Sequence, residues 1–290
     1  MTNQGIVYVA QGADYLALAQ QSARSLKSVD PACRIEIFTD QECKDDCFDI
    51  VRSLIAGPSP KLACLPHTSF ERTLYLDCDT LVLAALGDLF DILDRFELAV
   101  AHDVRRTSQL IREKGRHSVP YAFPQMNAGV ILYRRSEETQ RFLQSWQDQY
   151  LELGVKRDQV SFRDLLWSSD LRFYVLPPEF NLRRMTMLDA WEPLDARPTI
   201  MHSHRLLQHL RHDARRLTDP ISVHLAERLA LTEEWQREVD RDPMMSEADS
   251  ISRFYLAETH ETTRSDEPEA QSSGSAGPSG CVREFEKREP

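Results

Sequence analysis

Apolar positions along the first 130 residues follow two periods in turn. Ile6 to Ala10 is a short apolar run of strand character, and Ala13 to Val29 follows with Leu16, Ala19, Ala23 and Leu26 at helical spacing. Pro31 separates that helix from a second strand at Arg34–Thr39. Further strands are expected at Asp49–Leu54, Thr73–Leu76, Leu98–His102 and Gly129–Tyr133. Strands alternating with helices over short connections predict an α/β fold with a mainly parallel central sheet flanked by helices.

After Tyr133 the pattern changes. Residues 136–152 read as a long amphipathic helix opened by Ser136, with Thr139 close behind, and carrying Phe142, Leu143, Trp146 and Tyr150 on one side. At that spacing the aromatics are core residues rather than a cofactor box. A helix at Asp158–Trp167, a strand at Arg172–Leu176 stopped by Pro177 and Pro178, and a short strand at Thr199–His202 come next. Leu206–Trp235 is expected to be helical with a break at Asp219 and Pro220. Beyond about residue 245 periodicity is lost, and residues 257–280 are rich in Glu, Thr, Ser, Gly and Pro. A folded region of residues 1–245 and a disordered acidic tail of residues 246–290 are therefore expected.

Charge sharpens that division. The chain carries a formal net charge of −11 over 290 residues. Residues 246–290 hold ten acidic against five basic side chains, a net −5, so −6 belongs to the rest. An acidic balance argues against general binding to nucleic acid or anionic membrane. The basic clusters at Arg105–Arg106 and Arg211–Arg216 read as solvated helix faces, with docking to an anionic acceptor or membrane surface as the alternative. Glycine is scarce, ten in all with three in the tail, and neither G-x-G-x-x-G nor G-x-x-x-x-G-K-[ST] occurs. Apolar stretches fall short of the roughly 20 residues of a membrane span, and the first residues lack a signal-peptide pattern, so a soluble cytoplasmic protein is expected. The six cysteines read as free thiols; Cys43 and Cys47 form a C-x-x-x-C without a second metal-binding pair.

The chemistry concentrates at Leu74-Tyr75-Leu76-Asp77-Cys78-Asp79-Thr80-Leu81-Val82, an apolar strand ending on two carboxylates one residue apart. Open α/β sheets bind ligands at the carboxyl ends of their strands. Paired carboxylates there suit a hard divalent cation whose remaining positions go to water and phosphate oxygens. A solvated strand end or a helix cap is the plainer alternative.

These residues resemble the D-x-D segment of glycosyltransferase family 8, the glycogenin and bacterial galactosyltransferase type. Other landmarks of that family recur in order: Val7 to Tyr15 followed by Ser25-Leu26-Lys27, Lys61 sixteen residues before Asp77, Met126-Asn127-Ala128-Gly129-Val130, Asp158-Gln159, Leu176-Pro177-Pro178-Glu179-Phe180-Asn181, and Ile200-Met201-His202. The resemblance covers roughly residues 5–210. It implies a GT-A nucleotide-diphospho-sugar transferase fold, with a nucleotide-binding half at about 1–133 and a sugar and acceptor half at about 134–245. It implies Mn²⁺ or Mg²⁺ held by Asp77, Asp79 and His202, and a UDP-sugar contacted by Ala10, Gln11, Tyr15, Lys61, Asp77, Cys78, Asn127, Ala128 and Arg205. Asp158 and Gln159 would act beside the sugar, and the acceptor would be a saccharide, a lipid-linked glycan or a protein. Hexose transfer with retention is implied, which leaves Asp158 as either nucleophile or hydroxyl clamp.

One departure stands out. Where the family continues after the histidine with a glycine and a lysine on the diphosphate, this chain reads Ser203-His204-Arg205-Leu206-Leu207-Gln208. Arg205 or His204 are candidate substitutes, and on a continued strand His204 would share a face with His202. Two other readings stay open: a non-catalytic nucleotide-sugar binder of the same fold, and a haloacid dehalogenase-type phosphatase, whose motif Asp77-Cys78-Asp79-Thr80 also resembles although Leu81 stands where that family has Thr or Val.

Overall fold

Alternation along β1 (Gln4–Ala10) sends Ile6, Tyr8 and Ala10 into one buried cluster and Val7 into another, so the strand is covered on both faces. The computed structural model describes residues 3–104, 115–120, 122–211 and 214–241. After β1 come α1 (Ala13–Val29), β2 (Ile35–Thr39), β3 (Ile50–Ser53), α2 (Pro60–Cys64), β4 (Arg72–Leu76), β5 (Thr80–Val82) and β6 (Leu98–His102). The remainder holds β7 (Met126–Arg134), α3 (Glu137–Leu153), α4 (Asp158–Ser168), β8 (Phe173–Leu176), β9 (Ile200–His202) and α5 (Pro220–Arg241).

Seven strands form one sheet in the order β3-β2-β1-β4-β7-β6-β8. β7 pairs antiparallel with both β4 and β6, while the other pairings are parallel. The expected mainly parallel sheet is thus found, with one reversed strand. That reversal matters for the site, because it lays the amino-terminal residues of β7 beside the carboxyl end of β4: Leu76 pairs with Val130, and the Asp77 amide donates to the Gly129 carbonyl at 2.8 Å.

α1 covers one face with Leu16, Leu18, Ala19, Ala23 and Leu26, and on the other face α3 buries Phe142, Leu143 and Trp146. Trp146 stacks on Phe162 of α4 with centroids 4.4 Å apart, which makes the α3 aromatics core residues as the spacing implied. Ser136 caps α3, its hydroxyl accepting from the Thr139 amide at 3.2 Å, a bond commonly worth about 1 kcal/mol.

β5 and β9 make a separate two-stranded antiparallel ribbon in which Thr80 pairs with His202. The helix expected from Leu206 is instead a 3-10 segment, His204–Leu210, opened by the Ser203 hydroxyl accepting from the Arg205 amide. The β9 strand ends at His202, so His204 does not share a strand face with it. Residues 214–218 carry no helix; the Arg216 guanidinium there donates to Gln21 Oε1 at 3.1 Å and to the Ala17 carbonyl at 2.9 Å, so Arg216 is tied to α1 rather than solvated on a helix face.

The residues up to Leu231 group into one compact unit. A second unit starts at Thr232, of which the described part is the end of α5. The expected tail at 246–290, Arg105, Arg106 and Cys281 lie outside the described residues. No described helix is long and apolar enough to cross a membrane.

Candidate functional site

The site is assembled from ends of elements. β4 delivers Asp77 and Asp79 as it leaves the sheet, and the β5–β9 ribbon brings His202 back over them. His202 Nε2 lies 3.3 Å from Asp79 Oδ1 and 3.7 Å from Asp77 Oδ2. One donor atom from each of the three lies within 4.8 Å of the other two, and among the described residues this is the one such group of His, Cys, Asp and Glu.

Whether these residues fit a divalent cation can be tested on the cradle itself. Gly129 backs it so closely that a Cβ would stand 2.0 Å from His202 Cε1 and 2.5 Å from Asp77 Oδ2. The space is therefore kept open by the absence of a side chain. His202 Nδ1 lies 3.1 Å from Asn181 Oδ1, while the Asn181 amide donates to Asn127 Oδ1 at 3.0 Å. Asn181 Oδ1 is thus the acceptor for the Nδ1 proton, which leaves Nε2, the nitrogen facing the two carboxylates, as the one that gives up its proton when a cation is held. Two carboxylate oxygens and an unprotonated imidazole nitrogen are a donor set suited to Mn²⁺, with Mg²⁺ the harder alternative. The residues fit the group.

Electrostatics point the same way. Burial opposes ionisation of Asp79, yet the charge and hydrogen bond of His202 and the charge of Arg183 outweigh it and hold the carboxyl below its ordinary range. For Cys78, between the two carboxylates, burial and the charges of Asp77 and Asp79 push the thiol far up; its Sγ–H donates to the Val9 carbonyl at 3.4 Å. It is a packed thiol, not a metal ligand.

A second charged group adjoins the first. Lys61, on the short helix α2, donates to the Ala128 carbonyl at 2.6 Å and lies 3.0 Å from Asp158 Oδ2 and 3.6 Å from Asp77 Oδ1. Its ammonium also sits over the rings of Tyr75 and Trp146, at 4.9 Å and 5.8 Å from their centroids. Burial would favour the neutral amine, but Asp158 and Asp77 prevail and hold the lysine more basic than usual. Asp158 opens α4, and its carbonyl accepts from the Trp146 indole at 3.0 Å.

The remaining expected residues fall around this centre. Asn127 is buried, its Oδ1 accepting from Asn181 and from the Gly129 amide and its amide nitrogen 3.2 Å from Asp103 Oδ2. Gln159 donates to the same Asp103 oxygen at 3.1 Å. Ala10 is buried at the end of β1 and Gln11 is exposed just beyond it. Tyr15, 42% exposed in the first turns of α1, has its phenol raised by burial and by the charge of Asp79. Arg205 is half-buried with its Nε buried and unpartnered. His204 is outside the metal-ligating group.

Sequence reasoning did not single out Asp103, Arg183 or Tyr75 as site residues. Asp103 binds both Asn127 and Gln159, and the Tyr75 hydroxyl donates to Asp77 Oδ1 at 2.6 Å. Tyr75 could have been found from strand alternation, since it points opposite to Leu74 and Leu76, toward Lys61. Asp103 and Arg183 had no local signal.

No protein-family model matches the chain, and no curated protein is similar to it in sequence. Solved structures do match in shape. Galactosyltransferase LgtC, solved with donor and acceptor sugar analogs, superposes with a TM-score of 0.53 at 18% identity over 69% of this chain and 86% of LgtC. The apo form of glycosyltransferase GlyE of Streptococcus pneumoniae gives 0.50 at 19% identity over 69% of this chain and 54% of its own. The bifunctional glycosyltransferase WbbM gives 0.50 at 14% identity over 69% of this chain and 45% of its own. At these identities the likeness is one of fold. The chain has the GT-A glycosyltransferase fold that these structures share.

Proposed function

We propose that this protein is a metal-dependent glycosyltransferase that moves a hexose from a UDP-sugar to an acceptor with retention of anomeric configuration. The observation that carries the reading is the convergence of Asp77, Asp79 and His202 beside Lys61 and Asp158. It is supported by a fold that LgtC, a galactosyltransferase, also has.

Mn²⁺ or Mg²⁺ held by Asp77, Asp79 and His202 would supply positive charge where a diphosphate leaving group gains negative charge, an effect commonly worth several kcal/mol of barrier. The rest falls to the chain. Ala10, Gln11 and Tyr15 line the nucleoside side, and Cys78 and Ala128 offer backbone around the diphosphate and sugar. Asn127 and Gln159 are held in place through Asp103. Asp158 is ion-paired with Lys61 and sits in the first turn of α4. The ion pair already engages one Asp158 oxygen, so the reading favours Asp158 as a clamp on sugar hydroxyls over a nucleophile. The acceptor is a saccharide, a lipid-linked glycan or a protein. Free thiols at Cys33, Cys43, Cys47, Cys64 and Cys78 suit a reducing compartment such as the cytoplasm.

The test is release of UDP from UDP-glucose, UDP-galactose and their N-acetyl forms with Mn²⁺. Release with at least one donor, abolished by EDTA and by Asp79→Ala, is the expected outcome. Metal-independent release would contradict the reading. One observation favours a second reading: the glycine and lysine of the family 8 pattern are missing after His202. It makes the protein a nucleotide-sugar binder without turnover, and UDP binding with no release from any donor would support that. The phosphatase reading needs a free Asp77, whereas one Asp77 oxygen binds Tyr75 and Lys61 and the other faces His202.

A further inference from the structure

A donor diphosphate needs more positive charge than the described centre supplies. Two carboxylates offset a divalent cation, and Lys61 is offset by Asp158 and further engaged by Asp77 and the Ala128 carbonyl. The residues following His202 hold no lysine where the family 8 pattern has one.

Arg183 lies on the other side of the same corner. Leu182 bridges to Met201, and the His202 amide donates to the Leu182 carbonyl at 3.0 Å, so residues 182–183 run along β9 as it reaches the metal ligands. The Arg183 guanidinium donates through Nη1 to the His202 carbonyl at 2.9 Å. That bond ties the guanidinium to the backbone of a metal ligand, and its charge helps hold the Asp79 carboxyl low. Among the described residues Arg183 makes no ion pair, and its Nε is buried without a hydrogen-bond partner. A buried, unpartnered guanidinium N–H beside a metal centre is costly unless an anion completes it.

We infer that Arg183 binds the diphosphate of the donor and of the nucleoside diphosphate product, taking the place of the missing lysine. This rests on the donor reading above. A guanidinium suits the task because its planar fork presents parallel donors to phosphate oxygens while one nitrogen stays on the His202 carbonyl. Arg205, three residues past the strand, has an Nε that is likewise buried and unpartnered.

Three affinities separate this role from a purely structural one: Mn²⁺ alone, uridine, and UDP in saturating Mn²⁺, each measured by calorimetry on the full chain for wild type, Arg183→Met and Arg183→Lys. UDP affinity should fall about tenfold or more in Arg183→Met and by less in Arg183→Lys, with uridine and Mn²⁺ affinities unchanged. Wild type that binds UDP, with Arg183→Met binding it equally well, overturns the inference and leaves the donor reading standing. A parallel loss of Mn²⁺ or uridine affinity also overturns it, because Arg183 would then merely hold the His202 strand end. If Arg183→Met does not fold, Arg183→Lys decides: equal UDP affinity overturns the inference. Wild type that binds no UDP in Mn²⁺ removes the donor reading and this inference together.

Discussion

Gly129 and His202 approach so closely that a methyl group on the glycine would stand 2.0 Å from the imidazole Cε1. The Gly129 carbonyl holds the Asp77 amide at 2.8 Å, so one residue both sets the backbone of the first metal ligand and makes room for the third. Gly129 sits in mid-strand, where glycine is ordinarily a weakness. Gly129→Ala should therefore displace His202 and lower Mn²⁺ affinity by about tenfold to a hundredfold, in the range seen when ligand orientation is lost. A calorimetric Mn²⁺ titration showing undiminished affinity would remove His202 from the ligand set.

The Asn181–His202 hydrogen bond fixes which imidazole nitrogen is free. Asn181→Leu keeps bulk but deletes the acceptor for Nδ1–H, so either nitrogen can then carry the proton. Mn²⁺ affinity should drop about tenfold with little change in uridine affinity. Equal affinity in the variant would mean that the tautomer is not set by Asn181.

Asp158 reaches Lys61 at 3.0 Å. As a hydroxyl clamp it acts in the transition state more than in donor binding. Asp158→Asn should lower kcat by about a hundredfold or more and leave KM for the donor within a few-fold. A rise in KM with kcat intact would exclude both a nucleophilic and a clamping role.

Away from the site, Glu97 ties β6, β7 and α3 together, its carboxylate accepting from Arg134 and from the Ser136 hydroxyl at 2.6 Å and its backbone carbonyl from the Thr139 hydroxyl at 3.5 Å. Its hydrogen bond to the Arg134 guanidinium, against a smaller opposing effect of burial, holds the carboxyl below its ordinary value. A depressed carboxyl stabilises the fold above its unfolded-state range and ceases to do so as pH falls through the folded value. The Tm gap between wild type and Glu97→Gln should be largest near neutrality and close as the solution is acidified below about pH 4. A gap independent of pH would show that the carboxylate charge is not what Glu97 contributes.

Much of this architecture could be read directly from local sequence. α1 and β6 run over the residues expected of them, because Leu16, Ala19, Ala23 and Leu26 set a clear helical period and Leu98–His102 an apolar run. Asp77 and Asp79 were visible as adjacent residues at a strand end. β5 escaped notice because three residues make a strand only by pairing with β9, far along the chain. The stretch after Leu206 has helical periodicity but, among its described residues, no α-helix before Pro220; Ser203 opens its 3-10 turn and Arg216 bonds to α1. His202 was found through the order of motifs, not spacing. Asp103 and Arg183 gain their roles only from neighbours distant in sequence, Asn127 and Gln159 for one and His202 for the other.

The central claim is that Asp77, Asp79 and His202 together hold one divalent cation on which nucleotide binding depends. Titrating Mn²⁺ into the protein while following the electron paramagnetic resonance of the free ion, with and without UDP, addresses it directly. The account predicts one site per chain, tightened by UDP and lost in Asp79→Ala and in His202→Ala with Tm near that of wild type. Saturable Mn²⁺ binding that survives both substitutions, or no binding in the wild type with UDP present, would contradict it.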